Sequence, residues 1–279
     1  MAVGLLHPGE MGAAVGATLV ARGERILWAS AGRSEATRAR AEAARLDDVG
    51  EVDELCRRCD VLISVCPPHA AQDVARRVEG FAGIYLDANA VSPETARRIS
   101  ASLPRFVDGG IVGPPPREAG TTRLYISGEE AGSVAALFAG TTVEAKLVPG
   151  EPGAASAVKM AYAGWTKGSA ALLLATRALA RAEGVEETLV QEWRMSLPEL
   201  DAQSVAASRS ARGKGWRWVG EMHEIASAFA ACGLPREFHE AAAEVYDRVS
   251  RRSAMGESDL DGVLQALGDP PPHRPTDAC

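Results

Sequence analysis

Val3-Gly4-Leu5-Leu6-His7-Pro8-Gly9-Glu10-Met11-Gly12-Ala13-Ala14-Val15-Gly16, continuing to Gly23, is the stretch whose reading decides the fold. Ala2 to Leu6 is a short apolar run suited to a strand buried on both faces. Glu10 to Arg22 then reads as an Ala-rich helix closed by Gly23 at its C-cap. A strand, a glycine turn and a helix make a phosphate cradle, because the free N–H groups and positive dipole end of the helix accept a pyrophosphate. The spacing is that of the dinucleotide fingerprint G-x-G-x-x-G, with His7 in the first glycine place and Gly9 and Gly12 in the other two. Gly9 leaves room for the backbone to approach the pyrophosphate, and Gly12 lets the helix pack closely on the strand. His7 is the departure, since that turn often favours a residue without Cβ.

The chain of 279 residues has room for two ordinary domains, and 46% hydrophobic residues support a sizeable core. No window approaches the ~18 apolar residues of a membrane span, and no basic segment precedes an apolar one as in a secretory leader. The net charge of −7 argues against a general nucleic-acid binder, though not against a local basic pocket. Of the five cysteines, Cys56 and Cys59 form a C-x-x-C, but no second pair stands at zinc-site spacing. No metal site is expected, and a cytoplasmic location follows from reduced thiols.

Ile26 to Ser30 is the second expected strand. An NAD-preferring site usually places a carboxylate about 20 residues beyond the glycines. Here Trp28 to Ser34 holds none, and Arg33 stands between Ser30 and Ser34. A guanidinium forks phosphate oxygens, so NADP(H) is favoured as cofactor. Helices are expected over Ser34 to Arg45 and Val52 to Arg58, and a buried strand over Asp60 to Cys66, ended by Pro67 and Pro68. A helix over His69 to Val78, a strand over Gly83 to Asp87 and a helix from Pro93, N-capped by Ser92, come next. Arg105 to Asp108 and Arg123 to Ser127 complete the strands. Such alternation means a mostly parallel, doubly wound sheet of Rossmann type, with ligands beyond the carboxyl ends of its strands.

After Pro149-Gly-Glu-Pro152 the texture becomes helical: Gly153 to Glu183, Val185 to Met195, Leu197 to Arg212, Trp216 to Ala231 and Pro235 to Arg252. The sequence therefore divides as an α/β domain over 1–150, an all-α domain over 151–268, and a disordered tail over 269–279. Lys159, Tyr162 and Thr166 lie at i, i+3 and i+7, on one face of the long helix, among small and apolar residues. A desolvated lysine there has a lowered pKa and can carry a proton near neutrality; a lysine snorkelling from a helix end is the plain alternative.

The fingerprint followed by Met-Gly, the Arg33-Ser34 pair, Asp108 before a glycine-rich turn, and G-x-x-x-x-x-K from Gly153 to Lys159 occur in that order. In this the chain resembles the β-hydroxyacid dehydrogenase group, which includes 6-phosphogluconate and 3-hydroxyisobutyrate dehydrogenases and, more distantly, imine reductases. His-Pro-Gly-Glu-Met-Gly and Trp216-Arg-Trp-Val-Gly-Glu-Met222 are similar to a bacterial 6-phosphogluconate-dehydrogenase-like branch with a distinct C-terminal domain. The resemblance implies that Gly9, Glu10, Met11 and Gly12 hold the pyrophosphate, with Arg33 and Ser34 at the adenosine phosphate; His7, Pro8 and Ser30 beside them are further cofactor-binding candidates, His7 with filling of the turn as its alternative. It implies that Cys66, Pro67 and Asn89 line the nicotinamide side and that Lys159 is the catalytic acid/base. Family members pair through their helical domains, so a homodimer is expected.

The chain departs from the family pattern in places. Tyr162 stands where K-x-x-N has its amide, and joins Lys159 as a catalytic candidate. The substrate turn D-x-P-x-S-G-G reads Asp108-Gly-Gly-Ile-Val112-Gly113-Pro114, with Val112 in place of the serine. Glu221 stands for the acid of a Lys-Asp pair whose lysine is absent. Asp108, Val112, Gly113 and Glu221 are thus the substrate candidates. Lys167 is a further candidate for the same cleft; His223 and His239 read more simply as helix residues. The expected function is NADP(H)-linked hydride transfer with a small carbonyl or alcohol substrate. Imine reduction on the same scaffold, or a non-catalytic NADP(H)-binding regulator, are the alternatives.

Overall fold

The computed structural model describes residues 1–253 and 260–268, so the tail expected over 269–279 lies outside the described residues. Two compact units are formed, Met1–Ala161 and Tyr162–Cys279.

The first unit is built on β1 (Val3–Leu5), α1 (Glu10–Ala21), β2 (Ile26–Trp28), α2 (Glu35–Ala43), β3 (Asp47–Asp48), α3 (Val52–Arg58) and β4 (Val61–Ser64). After a 3₁₀ turn at Pro68–Ala70 come α4 (Ala71–Arg76), β5 (Ile84–Asp87), α5 (Pro93–Ser100), β6 (Phe106–Val112), β7 (Thr122–Ser127), α6 (Ala131–Leu137) and β8 (Val143–Leu147). The strands form one sheet in the order β3-β2-β1-β4-β5-β6-β7-β8. All neighbours are parallel except β6 and β7, which are antiparallel. The doubly wound class read from the sequence is what the chain adopts.

Alternation along the strands divides the core into two layers. Val3, Leu5, Val61, Ile63, Ile84 and Leu86 pack on the face that α1, α2 and α6 cover. Leu6, Leu62 and Tyr85 pack on the opposite face with side chains of α3, α4 and α5. β1 lies between β2 and β4, so the strand order reverses there and the crevice opens at the carboxyl ends of β1 and β4.

Three elements were not legible in the sequence. β3 is two exposed aspartates held at the edge by pairing with Leu27 and Trp28. β8 reads Val-Glu-Ala-Lys-Leu and is mostly exposed, so its apolar signal is thin. α6 is a short Ala-rich turn between two strands. β6 also runs four residues past Asp108, through Gly109 and Gly110 to Val112, because antiparallel β7 supplies partners along that whole length.

The second unit is helical: most of α7 (Ala154–Ala182), then α8 (Glu186–Ser196), α9 (Leu200–Ala231), α10 (Glu237–Ser253) and α11 (Leu260–Gly268). The two helices expected over Leu197 to Arg212 and Trp216 to Ala231 are one, α9. A mid-helix glycine costs about 1 kcal/mol in propensity. Here Gly215 is buried against α10, and a Cβ on it would stand 2.9 Å from Ser250 Oγ, so close packing keeps the helix continuous. The division between units falls inside α7, after Ala161, and not at the turn near residue 150. The first turns of α7 are bound into the sheet of the first unit, as the geometry around Asp108 explains.

Candidate functional site

The fingerprint turn is built as its spacing requires. The Gly9 N–H donates to the His7 carbonyl at 2.8 Å, and the Ala13 N–H to the Gly9 carbonyl at 2.8 Å, which starts α1. A Cβ on Gly12 would fall inside van der Waals contact of the His7 carbonyl oxygen, so the close approach of helix to turn needs glycine there. At Gly9 a Cβ would meet nothing within 4 Å. Gly9 is the N-cap of α1 and, having no side chain, makes no side-chain cap hydrogen bond. Pro8 is buried, Glu10 exposed, and Met11 packs against the core beneath.

Arginines gather around this turn. Arg33 Nη2 donates to the Leu6 carbonyl at 3.3 Å, Arg40 Nε to the Pro8 carbonyl at 3.3 Å, and Arg38 Nη2 to the Ser30 carbonyl at 2.9 Å. Ser34 is the N-cap of α2: its Oγ accepts from the Thr37 N–H at 3.3 Å. Ser30 is buried, and its N–H donates to Asp48 Oδ1 at 3.2 Å. Asp48 also accepts from the Gly50 N–H at 2.8 Å. Hydrogen bonds from Ser30 and Gly50 and the nearby Arg38 hold its carboxyl below the ordinary value, against the opposing effect of burial. Asp48 thus places a carboxylate beside the end of β2, where the β2–α2 loop itself holds none before Glu35. Only strand pairing brings a residue 18 positions away to that edge.

Across the crevice, Asn89 binds the ends of two strands. Its Oδ1 accepts from the Cys66 N–H at 2.5 Å, its Nδ2 donates to Ser64 Oγ at 3.1 Å, and its own N–H donates to Asp87 Oδ1 at 2.9 Å. Asn89 is 2% exposed, so it shapes the loop that carries Cys66 and Pro67 from behind. Burial pushes the Cys66 thiol up to about 12, away from the thiolate form.

Asp108 lies early in β6, level with Asp87 and Ser64, the last residues of β5 and β4. Its Oδ2 accepts from Ser127 Oγ at 3.0 Å and from the N–H groups of Gly153 and Ser156, both at 2.9 Å. Its Oδ1 accepts from Ser156 Oγ at 2.6 Å, and Ser127 Oγ in turn accepts from the Ala155 N–H at 3.0 Å. Asp108 is fully buried and serves as the cap of α7, a carboxylate at the positive end of a helix. The substrate contact expected of it is therefore replaced by a positioning role, since all its hydrogen bonds go to the fold.

Side chains alternate along β6, so Asp108, Gly110 and Val112 share one face. At Gly110 a Cβ would stand 2.8 Å from Lys159 Cβ and 3.0 Å from the Ala155 carbonyl. The missing side chain lets α7 lie on the strand, and Lys159 is the residue brought there. Gly110 is two residues, about 7 Å, beyond the Ser64–Asp87–Asp108 row, on the crevice side of the sheet. Burial alone pulls the Lys159 ammonium from 10.5 down to about 8. Val112 is 2% exposed and puts an apolar surface on the same face, and Gly113, exposed, turns the chain with φ +123°.

In the second unit Tyr162 is half exposed. Lys167 forms an ion pair with Glu221 and lies 5.4 Å from the centroid of the Trp218 ring. The lysine that seemed absent beside Glu221 is thus supplied by α7, from 54 positions away. That pairing occupies the Glu221 carboxylate. His223 is exposed. His239 is buried edge-on to Phe229 with ring centroids 4.2 Å apart, and burial lowers its pKa. Among the described residues no group of His, Cys, Asp and Glu could hold a metal ion, and no helix is long and apolar enough to cross a membrane.

A Rossmann-like sheet with a dinucleotide turn, followed by a helical region, defines an oxidoreductase fold of the NADP-binding kind. Residues 2–86 match the family described as NADP oxidoreductase, coenzyme F420-dependent, and residues 180–249 match a domain of unknown function, DUF1932. An uncharacterised 28.5 kDa protein of Methanothermus fervidus is 31% identical over 164 residues, 57% of this chain. The chain spans 63% of that relative's length. Conserved protein MTH1747, of unknown function and described as structurally similar to 3-hydroxyacid dehydrogenases, superposes with a TM-score of 0.71. It is 27% identical, over 95% of this chain and 99% of its own. Mycobacterium tuberculosis 3-hydroxyisobutyrate dehydrogenase, solved with L-serine, has a TM-score of 0.71 at 18% identity, covering 95% and 98% of the two chains. A reductive aminase from Aspergillus terreus, solved with NADPH4, cyclohexanone and allyl amine, has a TM-score of 0.57 at 17% identity, covering 95% and 98%. These matches support the superfamily resemblance read from the sequence and a C-terminal domain of its own kind.

Proposed function

We propose that the protein catalyses reversible NADP(H)-linked hydride transfer to or from a small carbonyl or alcohol, with Lys159 as general acid/base. The observation that carries this reading is a desolvated lysine anchored at the carboxyl edge of the sheet whose first turn is a dinucleotide cradle. The cradle fits the cofactor: open space at Gly9, a helix start whose N-cap carries no side chain, and guanidiniums beside the turn. Gly9 to Gly12 would hold the pyrophosphate, and Arg33 with Ser34 the adenosine phosphate. When bound, the reduced cofactor supplies hydride. Lys159, as ammonium, donates a proton to the substrate oxygen, and as amine takes it back from the alcohol. Asp108 keeps that lysine in place, and Tyr162, one helical turn on, is the second proton-bearing candidate. Cys66 and Pro67 would line the nicotinamide side, on the loop that Asn89 braces.

Val112 favours a second reading, reduction of an imine. Its apolar side chain replaces the hydroxyl that would help hold a substrate carboxylate, which suits a neutral C=O or C=N compound. NADPH titration followed by turnover of paired ketones, cyclic imines and hydroxyacids tests both readings. Binding with turnover of a neutral carbonyl or imine is expected; no binding of either dinucleotide at millimolar concentration overturns the proposal.

The second unit also presents a seam suited to another copy of this chain. Tyr162, Trp165, Ser169, Leu172, Thr176 and Leu179 alternate at spacings of three and four along α7, a heptad pattern. Trp165, Leu172 and Leu179 are 76%, 64% and 63% exposed. Ser169 and Thr176 donate to the carbonyls of Trp165 and Leu172 at 2.6 and 2.8 Å, which leaves their hydroxyls satisfied within the helix. Sedimentation is expected to give a dimer for the parent and a monomer for the Trp165→Glu, Leu172→Glu double variant; a monomeric parent removes this part.

A further inference from the structure

Two buried polar atoms beside the fingerprint turn have no hydrogen-bond partner: Nδ1 of His7 and Nε of Arg33. The two residues meet at one place, since Arg33 donates through Nη2 to the Leu6 carbonyl, next to His7 in the chain. An unsatisfied buried polar group costs free energy, and two converging on one turn point to a ligand that would satisfy both. Charge identifies its class. Burial first, then the guanidiniums of Arg33 and Arg77, lower the His7 imidazole from 6.5 to about 4, so it is neutral at pH 7. Arg33 itself is lowered by burial and by Arg77, while the Cys66 thiol acts in the other direction. No carboxylate is among the groups that act on either residue. In a chain of net charge −7 the two guanidiniums make a local concentration of positive charge beside the fingerprint turn.

We propose that His7, Arg33 and Arg77 form a clamp for a phosphomonoester dianion, and that His7 is a specificity-determining residue for a 2′-phosphorylated dinucleotide. The inference rests on the NADP(H) reading above and deepens it. Arg33, from the β2–α2 loop, and Arg77, at the end of α4, bring the positive charge and planar donors that phosphate oxygens accept. The neutral imidazole adds one N–H donor from the turn itself. A glycine at position 7 would keep the backbone bond from the Gly9 N–H and lose only this donor. The residue that departs from the fingerprint is thus the one that reads the phosphate.

Calorimetric titration of 2′-phospho-ADP-ribose and of ADP-ribose into the parent, His7→Gly and Arg77→Leu separates the phosphate contribution from the rest. Both variants are expected to bind the 2′-phosphorylated ligand about tenfold more weakly, the size of a hydrogen bond to a charged group, with ADP-ribose affinity unchanged. The 31P resonance of the 2′-phosphate should move less on binding to His7→Gly than to the parent. Equal weakening of both ligands would mean that His7 only shapes the turn, and overturns the clamp. A parent that binds the two ligands equally, or an unchanged ratio in both variants, overturns it too while leaving dinucleotide binding intact. If the parent binds no dinucleotide at all, the cofactor reading falls and the clamp falls with it.

Discussion

Lys159→Met is expected to lower turnover by about 10²–10⁴-fold, the usual contribution of a positioned general acid, while the dissociation constant for NADPH stays that of the parent. The amine is the proton carrier in the proposal and touches no part of the phosphate cradle, so binding and chemistry should separate. The pH dependence has a determined sign. With the ammonium pulled down to about 8, carbonyl reduction should proceed below that pH and fall as the proton is lost above it. Alcohol oxidation, which needs the free amine, should rise through the same range. Stability should move the opposite way to carbonyl reduction. The folded chain holds this ammonium at a cost, because its pKa lies below the unfolded value of 10.5. Between about pH 8 and 10.5 the unfolded chain binds more protons, so stability rises with pH across that window. At pH 7 both states carry the charge and the cost is present in full, so Lys159→Met should unfold at a higher denaturant midpoint than the parent. A variant that retains parental turnover while still binding NADPH would remove Lys159 as the proton carrier. One whose midpoint drops would contradict the desolvated placement.

Asp108→Ala is expected to cost about 3 kcal/mol or more, since each buried donor left unsatisfied costs about 1–3 kcal/mol. Three donors, the N–H groups of Gly153 and Ser156 and the hydroxyl of Ser127, would lose their shared oxygen, and the Ser156 hydroxyl would lose the other. Asp108→Asn keeps one oxygen but turns an amide against a donor, so it should cost less and still be measurable. Urea unfolding followed at Trp28, buried in the core of the first unit, reads the loss. Activity should fall by more than the folded fraction predicts, because the start of α7 carries Lys159. An unchanged midpoint in Asp108→Ala would remove the capping role.

The candidate site was legible in unequal parts. Residues at short, chemically distinctive spacing could be read directly: the Gly9–Gly12 turn, Ser34 and Ser92 as caps, and Lys159 on a face of small residues. Each of these depends on backbone sterics or helical period, which act over a few residues. The roles of Asp108, Asn89, Glu221 and Asp48 could not be read that way. Asp108 is a substrate candidate in the sequence because it opens the stretch that resembles the family's substrate turn. Its partners in space, Gly153 and Ser156, are 45 and 48 residues away. The pairing of Glu221 was hidden for the same reason, since Lys167 lies two helices earlier.

By itself, then, the sequence determined the class of the fold, a doubly wound sheet followed by helices, and the place where a dinucleotide would enter it. Periodicity and glycine spacing are local properties, and the order of strands and helices leaves few topologies open. Only the tertiary structure decided which carboxylates are free for chemistry and which serve as caps, clamps and ion-pair partners. A charged or amide side chain must be satisfied wherever it is buried, and its partner is chosen by the strand register and helix packing that bring distant residues together.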